Sequence, residues 1–219
     1  MRALAALVWA VLAGLCGPAV AHPHVFIDTS VEVILDDNDR VTAVRIGWVY
    51  DELFSLMVIA DRELDRDADG QLSPEEAEGL KGFDMQWIEG YPGDSYALID
   101  GRDLTLGPPE VPTAEWDGRV IRTTHLRSLP EPVEIGAGTF IVQVYDPGYY
   151  TAYFIPFDPV ITGGSGACSA EVWAPDPEAA DQALKDALLE YAPDQDLEAD
   201  FPAIGRNFAE EVRVTCAAP

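Results

Sequence analysis

Positive charge is scarce in this chain. Thirteen Lys and Arg stand against 39 Asp and Glu, a formal net charge of −26. Such acidity argues against nucleic acid and anionic membrane surfaces as partners, because both carry dense negative charge. Long apolar runs are missing beyond the first twenty or so residues. None reaches the roughly 18 residues of a membrane-spanning helix, so the mature chain reads as not membrane-embedded. Histidine is limited to His22, His24 and His125, too few for a high-capacity metal buffer. The sequence has no H-E-x-x-H, no G-x-S-x-G and no P-loop; Gly163-Gly164-Ser165-Gly166 lacks the Lys-Ser/Thr that would grip phosphate. These absences favour a binding protein over an enzyme.

Cysteine is equally sparse. Of the three, Cys16 falls in an N-terminal targeting segment: Arg2 supplies the positive start, Ala3 to Leu15 the apolar stretch, and Ala19-Val20-Ala21 a small-x-small cleavage site. Leu15 stands where a lipoprotein signal wants a smaller residue, so residues 1–21 read as an ordinary signal peptide cleaved after Ala21. Export to the periplasm follows. Cys168 and Cys216 then form an isolated pair that reads as one disulfide closing a loop of about fifty residues. Neither lies in a C-x-x-C motif or beside a histidine, which weighs against a metal thiolate pair.

Residues 22–219 read as one α+β domain: an antiparallel β-sheet or sandwich with a helical insertion near 51–88 and a C-terminal helix. Alternation over Val25–Leu35 and Arg40–Tyr50 predicts a hairpin around Asp36-Asp37-Asn38-Asp39. Asp51 caps an entering helix, and an exiting helix runs from Pro74 to about Trp87. Strands are expected at Tyr96–Ile99, Leu104–Leu106, Val120–Leu126, Thr139–Tyr145 and Ala170–Trp173. Tyr150–Ile155 is expected to return along Thr139–Tyr145 after the Asp146-Pro147-Gly148 turn. Pro177–Tyr191 is an amphipathic helix capped by Asp176. A short helix near 203–209 and the strand Glu211–Cys216 end the chain. The aromatic run from Tyr145 to Phe154 can line a ligand groove, but cross-strand packing explains it more simply; Trp48, Trp87 and Trp116 read the same way.

The insertion carries the clearest chemistry. Residues 65–76 fill every position of an EF-hand calcium loop: Asp65, Asp67 and Asp69 offer carboxylates, Gln71 a backbone carbonyl, Ser73 a direct or water-mediated ligand, and Glu76 two oxygens. Gly70 permits the sharp turn at the sixth position. The plain alternative is an acidic turn that binds nothing. A lone loop suits weak affinity, about 10⁻⁴ to 10⁻³ M.

The mature N-terminus, His22-Pro23-His24, is the second candidate. An α-amine and imidazole on one residue can chelate Ni²⁺, Co²⁺, Zn²⁺ or Cu²⁺, and His24 falls on the same strand face as His22. Pro23 lacks the amide proton that a square-planar amino-terminal copper site must lose. A histidine brace remains open, with His24 or His125 as its third ligand. The contrary reading is a frayed terminus beside an ordinary buried histidine.

Several segments occur in a distinctive order: His22-Pro23-His24-Val25-Phe26-Ile27-Asp28, Trp48-Val49-Tyr50-Asp51-Glu52, the D-x-D-x-D-G loop, Gly82-Phe83-Asp84-Met85-Gln86-Trp87, Gln143-Val144-Tyr145-Asp146-Pro147 and the cysteine-bearing C-terminus. The set resembles the bacterial family catalogued as domain of unknown function number 1007, described as the periplasmic component of an uncharacterised ABC-type transport system. Its members often occur beside nickel/cobalt-type exporters. The resemblance implies divalent-metal handling outside the cytoplasm with a membrane metal transporter or permease as partner. The leading expectation is a calcium-binding accessory that presents a transition metal through His22 and His24. A copper oxidase using His22 with His125, and a calcium-stabilised interaction module with no transition metal, stand as alternatives.

Overall fold

Strands dominate the chain across residues 23–192 and 201–217, the part described by the computed structural model. The targeting segment and His22 lie outside these residues. β1 (Val25–Leu35) and β2 (Arg40–Tyr50) form the expected hairpin. Asp36 closes its turn, accepting from the amides of Asn38 and Arg40 at 2.9 and 3.0 Å and pairing with the Arg40 guanidinium at 2.6 Å. Alternate residues of β1, from Val25 to Leu35, point into the core, as period-two patterning requires.

Two sheets result. The first runs in the order β5 (Pro109–Trp116), β6 (Ile121–Glu134), β2, β1, β8 (Thr151–Phe154), with β9 (Val160–Thr162) also paired to β1. The second runs β10 (Cys168–Trp173), β11 (Glu211–Cys216), β7 (Phe140–Val144), β3 (Ser95–Ile99), β4 (Arg102–Leu104). One contiguous core draws Val33, Val44, Ile46 and Ile121 from the first sheet and Phe140, Val142, Val212 and Val214 from the second. The helices α1 (Glu52–Asp61), α2 (Pro74–Leu80) and α3 (Pro177–Leu188) are minor by comparison. The α+β reading therefore holds, with the balance toward strand. Cys168 and Cys216 are paired residues of β10 and β11 and form the predicted disulfide. No helix among the described residues is long and apolar enough to cross a membrane.

Some expectations need correction. The sheets are antiparallel except where β8 and β9 run parallel to β1. β7 and β8 do not make a hairpin but belong to different sheets. The cause is Asp146, whose carboxylate accepts from the amides of Gly148, Tyr150 and Thr151 at 2.9, 2.9 and 3.1 Å and turns the chain toward the other sheet. β5 lies outside the expected strands and contains Pro109 and Pro112. It survives as an edge strand, with a register shift between Glu110 and Thr113 and Val111 at φ 49°. The short β9 was not expected either. β6 continues beyond Leu126 to Glu134, and α3 stops at Leu188 rather than Tyr191. The exiting helix α2 ends at Leu80, not Trp87, because Lys81 leaves the helical region and Gly82 turns at φ 70°. The entering helix α1 is less amphipathic than expected, with Leu53, Leu56 and Met57 exposed. The expected helix near 203–209 is a 3₁₀ turn over Gly205–Phe208.

That 3₁₀ turn fastens the crossover. The amide of Gly205 donates to the Pro147 carbonyl at 3.0 Å, and a Cβ on Gly205 would lie 1.7 Å from the Asp146 carbonyl oxygen. Gly205→Ala is expected to destabilise the chain by about 1–3 kcal/mol, the usual cost of forcing backbone shifts in a packed site. Urea unfolding checks this; an unchanged midpoint would show that the crossover gives way freely.

Candidate functional site

The acidic loop is held between α1 and α2 by its own side chains. Asp51 caps α1, its carboxylate accepting from the Phe54 amide at 2.8 Å. Ser73 caps α2 in a reciprocal box with Glu76, and Pro74 opens the helix where no amide is needed. Within the loop, Asp65 accepts from the amides of Asp69 and Gly70 at 2.9 and 3.2 Å, and Asp69 accepts from Gln71 at 2.8 Å. Asp65, Ala68 and Gly70 all adopt positive φ, which coils the loop on itself. One carboxylate oxygen from each of Asp65, Asp67 and Asp69 comes within 4.8 Å of the others. Glu76 is turned toward the ends of the loop, accepting from Ser73 N at 2.9 Å, Ser73 Oγ at 2.8 Å and Arg66 N at 3.2 Å. The Ser73 and Arg66 bonds hold its carboxyl below the ordinary glutamate range. The loop also docks on the β5–β6 hairpin, where Trp116 Nε1 donates to the Gly70 carbonyl at 3.1 Å.

The two described histidines, His24 and His125, do not converge. His24 is exposed on the outward side of the strand that follows it, its amide donating to Tyr150 O at 2.8 Å and its ring 4.7 Å from the Tyr150 ring. His125 is fully buried on the inward side of β6. The register pairs it with Ile46, which pairs with Val31. His125 is therefore level with a residue seven places along from His24, about 23 Å away at the rise of a strand and behind the sheet. No single ion can take both rings. Burial, then the neighbouring Arg127 charge, lowers the His125 pKa to about 3, so the ring is neutral. It packs edgewise against Trp48 at 4.7 Å and Trp87 at 5.6 Å, and neither ring nitrogen has a hydrogen-bond partner among the described residues.

Those two indoles open onto a cleft of about 250 Å³, the groove reading set aside above for Trp48, Trp87 and the Tyr145–Phe154 run, with Asp84 and Asp94 added to it. Trp48, Tyr50 and Tyr153 come from the first sheet. Trp87, Tyr91 and two carboxylates, Asp84 and Asp94, come from the segment that leads out of α2. Asp84 Oδ2 accepts from the hydroxyls of Tyr50 at 2.8 Å and Thr123 at 2.7 Å, and Asp94 Oδ2 accepts from Tyr153 at 2.9 Å. The second oxygen of each, and Trp48 Nε1, are buried without a hydrogen-bond partner among the described residues. Burial raises the Asp84 carboxyl. Asp94 is raised to about 6, chiefly by burial and further by the charge of Asp146, although Tyr91 and Tyr153 pull against that rise. Gly93, at φ 69°, lets Trp87 pack close: a Cβ there would lie 2.1 Å from the indole. The sequence signal for this cleft was the aromatic run ending in Phe154 together with the Asp84–Trp87 segment, which are far apart in the chain.

Residues 7–216 match the family described as Protein of unknown function (DUF1007). An uncharacterized protein of Haemophilus influenzae is similar, 25% identical over 202 residues that cover 90% of this chain and 92% of its own.

Asp94 generates a prediction about pH. Its folded pKa of about 6 exceeds the ordinary 3.8, so the ionised form opposes folding and protonation relieves it. Asp94→Asn keeps an acceptor for Tyr153 and suits the left-handed φ of 48° at this position. The variant is expected to be more stable than the parent by about 2–3 kcal/mol above pH 6, the difference closing as pH falls toward 3.8. Denaturant unfolding across that range checks it. His125 works in the opposite direction in both proteins, so only the difference between them isolates Asp94.

Proposed function

The chain belongs to the family described as Protein of unknown function (DUF1007), and from there we propose that it is an exported calcium-binding accessory protein, not an enzyme. One observation carries the reading: Asp65, Asp67 and Asp69 converge within a helix–loop–helix. Calcium needs six to eight oxygens, and this loop can supply them. The three aspartates would give carboxylate oxygens and Gln71 its carbonyl. Ser73 would bind directly or through water, and Glu76 would close the shell. The Cys168–Cys216 disulfide supports an oxidising compartment such as the periplasm. Calcium would steady the insertion where it meets the β5–β6 hairpin, and so the exposed Leu53, Leu56 and Met57 of α1, a surface a membrane transporter or permease could take.

Calcium at about ten times its Kd is expected to raise stability by about 1.4 kcal/mol. The same titration is expected to change the fluorescence of Trp116, whose indole bonds to the loop. Glu76→Gln retains the helix cap but lacks a charged bidentate ligand, and is expected to lose most of both responses. Equal responses in parent and variant, or none in either, would overturn the reading.

A second reading rests on His24 being exposed at the head of β1. Here His22 and His24 present a nickel, cobalt, zinc or copper ion to the transporter. Calorimetric titration of mature protein beginning at His22 is expected to show one-to-one binding that is lost when one extra residue precedes it. Equal binding in both forms would place the metal away from the terminus. The copper oxidase that pairs His22 with His125 finds no support, since His125 faces the core.

A further inference from the structure

The aromatic cleft is separate from the calcium loop and from the N-terminal histidines, and its chemistry is more specific than packing requires. Two aspartates face a space of about 250 Å³ walled by indole and phenol rings. Asp94 is itself only 6% exposed, yet its Oδ1 has no hydrogen-bond partner among the described residues, and Asp84 Oδ1 is in the same condition. A buried carboxylate oxygen without a donor is costly, and proteins keep such groups where a ligand or bound water completes them. Each aspartate uses its other oxygen to accept from tyrosine or threonine hydroxyls, which holds the carboxyl group in the cleft wall.

The walls say what kind of donor fits. Trp48 and Trp87 are locked in place by the neutral His125 ring behind them, and Tyr91 meets Trp87 edge to face at 5.7 Å. Rings present negative π faces, so an aromatic lining with carboxylates attracts a cation of low hydration. Trp87 already accepts one: the Arg127 guanidinium lies 4.8 Å over its ring from the adjoining groove. A metal ion fits poorly. The only described group of three His, Cys, Asp or Glu ligand atoms close enough to share an ion is Asp65, Asp67 and Asp69. An anion would meet two carboxylates, and a neutral apolar molecule would leave both oxygens bare.

We propose that this cleft binds a small organic cation, an alkylammonium group seated among Trp48, Trp87 and Tyr91 and paired with Asp84 and Asp94. A space of this size holds a compact head group rather than a drug-sized ligand, for which pockets begin at about 300 Å³. The site stands whether or not the loop holds calcium.

The test uses the mature full-length chain and follows tryptophan fluorescence, with calorimetry in parallel. Butylammonium and tetramethylammonium chloride are titrated at constant ionic strength, against 3,3-dimethylbutan-1-ol as a neutral molecule of similar bulk. Nα-acetyl-lysine methylamide distinguishes a lysine side chain from a free amine. Saturable binding of either simple cation without response to the alcohol is expected, with affinity falling at least about tenfold in Asp94→Asn, the loss of a charge-assisted bond. Asp84→Asn gives the same comparison if the first variant does not fold. An equal response to the alcohol, unchanged affinity in a folded variant, response to the lysine derivative alone, or no saturable binding, which leaves a cleft filled by water only, would each overturn the proposal.

Discussion

The seating of the helical insertion on the first sheet is the constraint on which both the acidic loop and the aromatic cleft depend. It is made at a few buried polar points. Ser55, wholly buried in α1, accepts from the Ile121 amide through its Oγ at 3.0 Å and so ties the helix to the start of β6. Asp84 binds Tyr50 of β2 and Thr123 of β6 through one oxygen. Between them Leu80 is 1% exposed and joins the main core. Hydrogen bonds of this kind contribute modestly when made and cost far more when one partner is lost. They specify the pose of the insertion more than they add to total stability, and the pose aims the loop at Trp116 and Trp87 at His125.

Much of this was legible in the sequence because it is local. The hairpin of β1 and β2, the Asp51 and Ser73 caps and the sixth-position glycine of the loop all follow from residues a few places apart. The Cys168–Cys216 pairing followed from counting. What could not be read was long-range. Asp146 looks like an ordinary turn residue in sequence, and only its three amide contacts show that it sends β8 to the other sheet. The cleft is a product of that crossover, because β8 brings Tyr153 to Asp94, 59 residues away in the chain. Of the two readings of His125, the alternation of β6 favours the ordinary buried histidine once the register is known.

Gly93 and Gly205 show why part of the fold resists reading from pattern. Gly93 reads as a turn glycine and Gly205 as part of a short helix. At Gly93 the missing Cβ makes room for an indole, and at Gly205 it makes room for a backbone carbonyl. Both requirements come from residues outside the local pattern, so propensity supplies the residue type and tertiary contact supplies the reason.

The chain's acidity has two physical meanings, and burial separates them. Asp67 and Asp69 are exposed, and backbone amides of the loop's own turn bond to Asp65 and Asp69 beside them. Carboxylates in that setting suit a hard, strongly hydrated cation that can keep water in its shell while gaining oxygen ligands. Asp84 and Asp94 instead stand among aromatic rings, where desolvation raises both above the ordinary aspartate range. A strongly hydrated ion would have to shed its water there with too few oxygens in return. A weakly hydrated organic cation sheds little and gains both carboxylate and π contact. Net charge alone would assign these four residues one role; their surroundings assign them two.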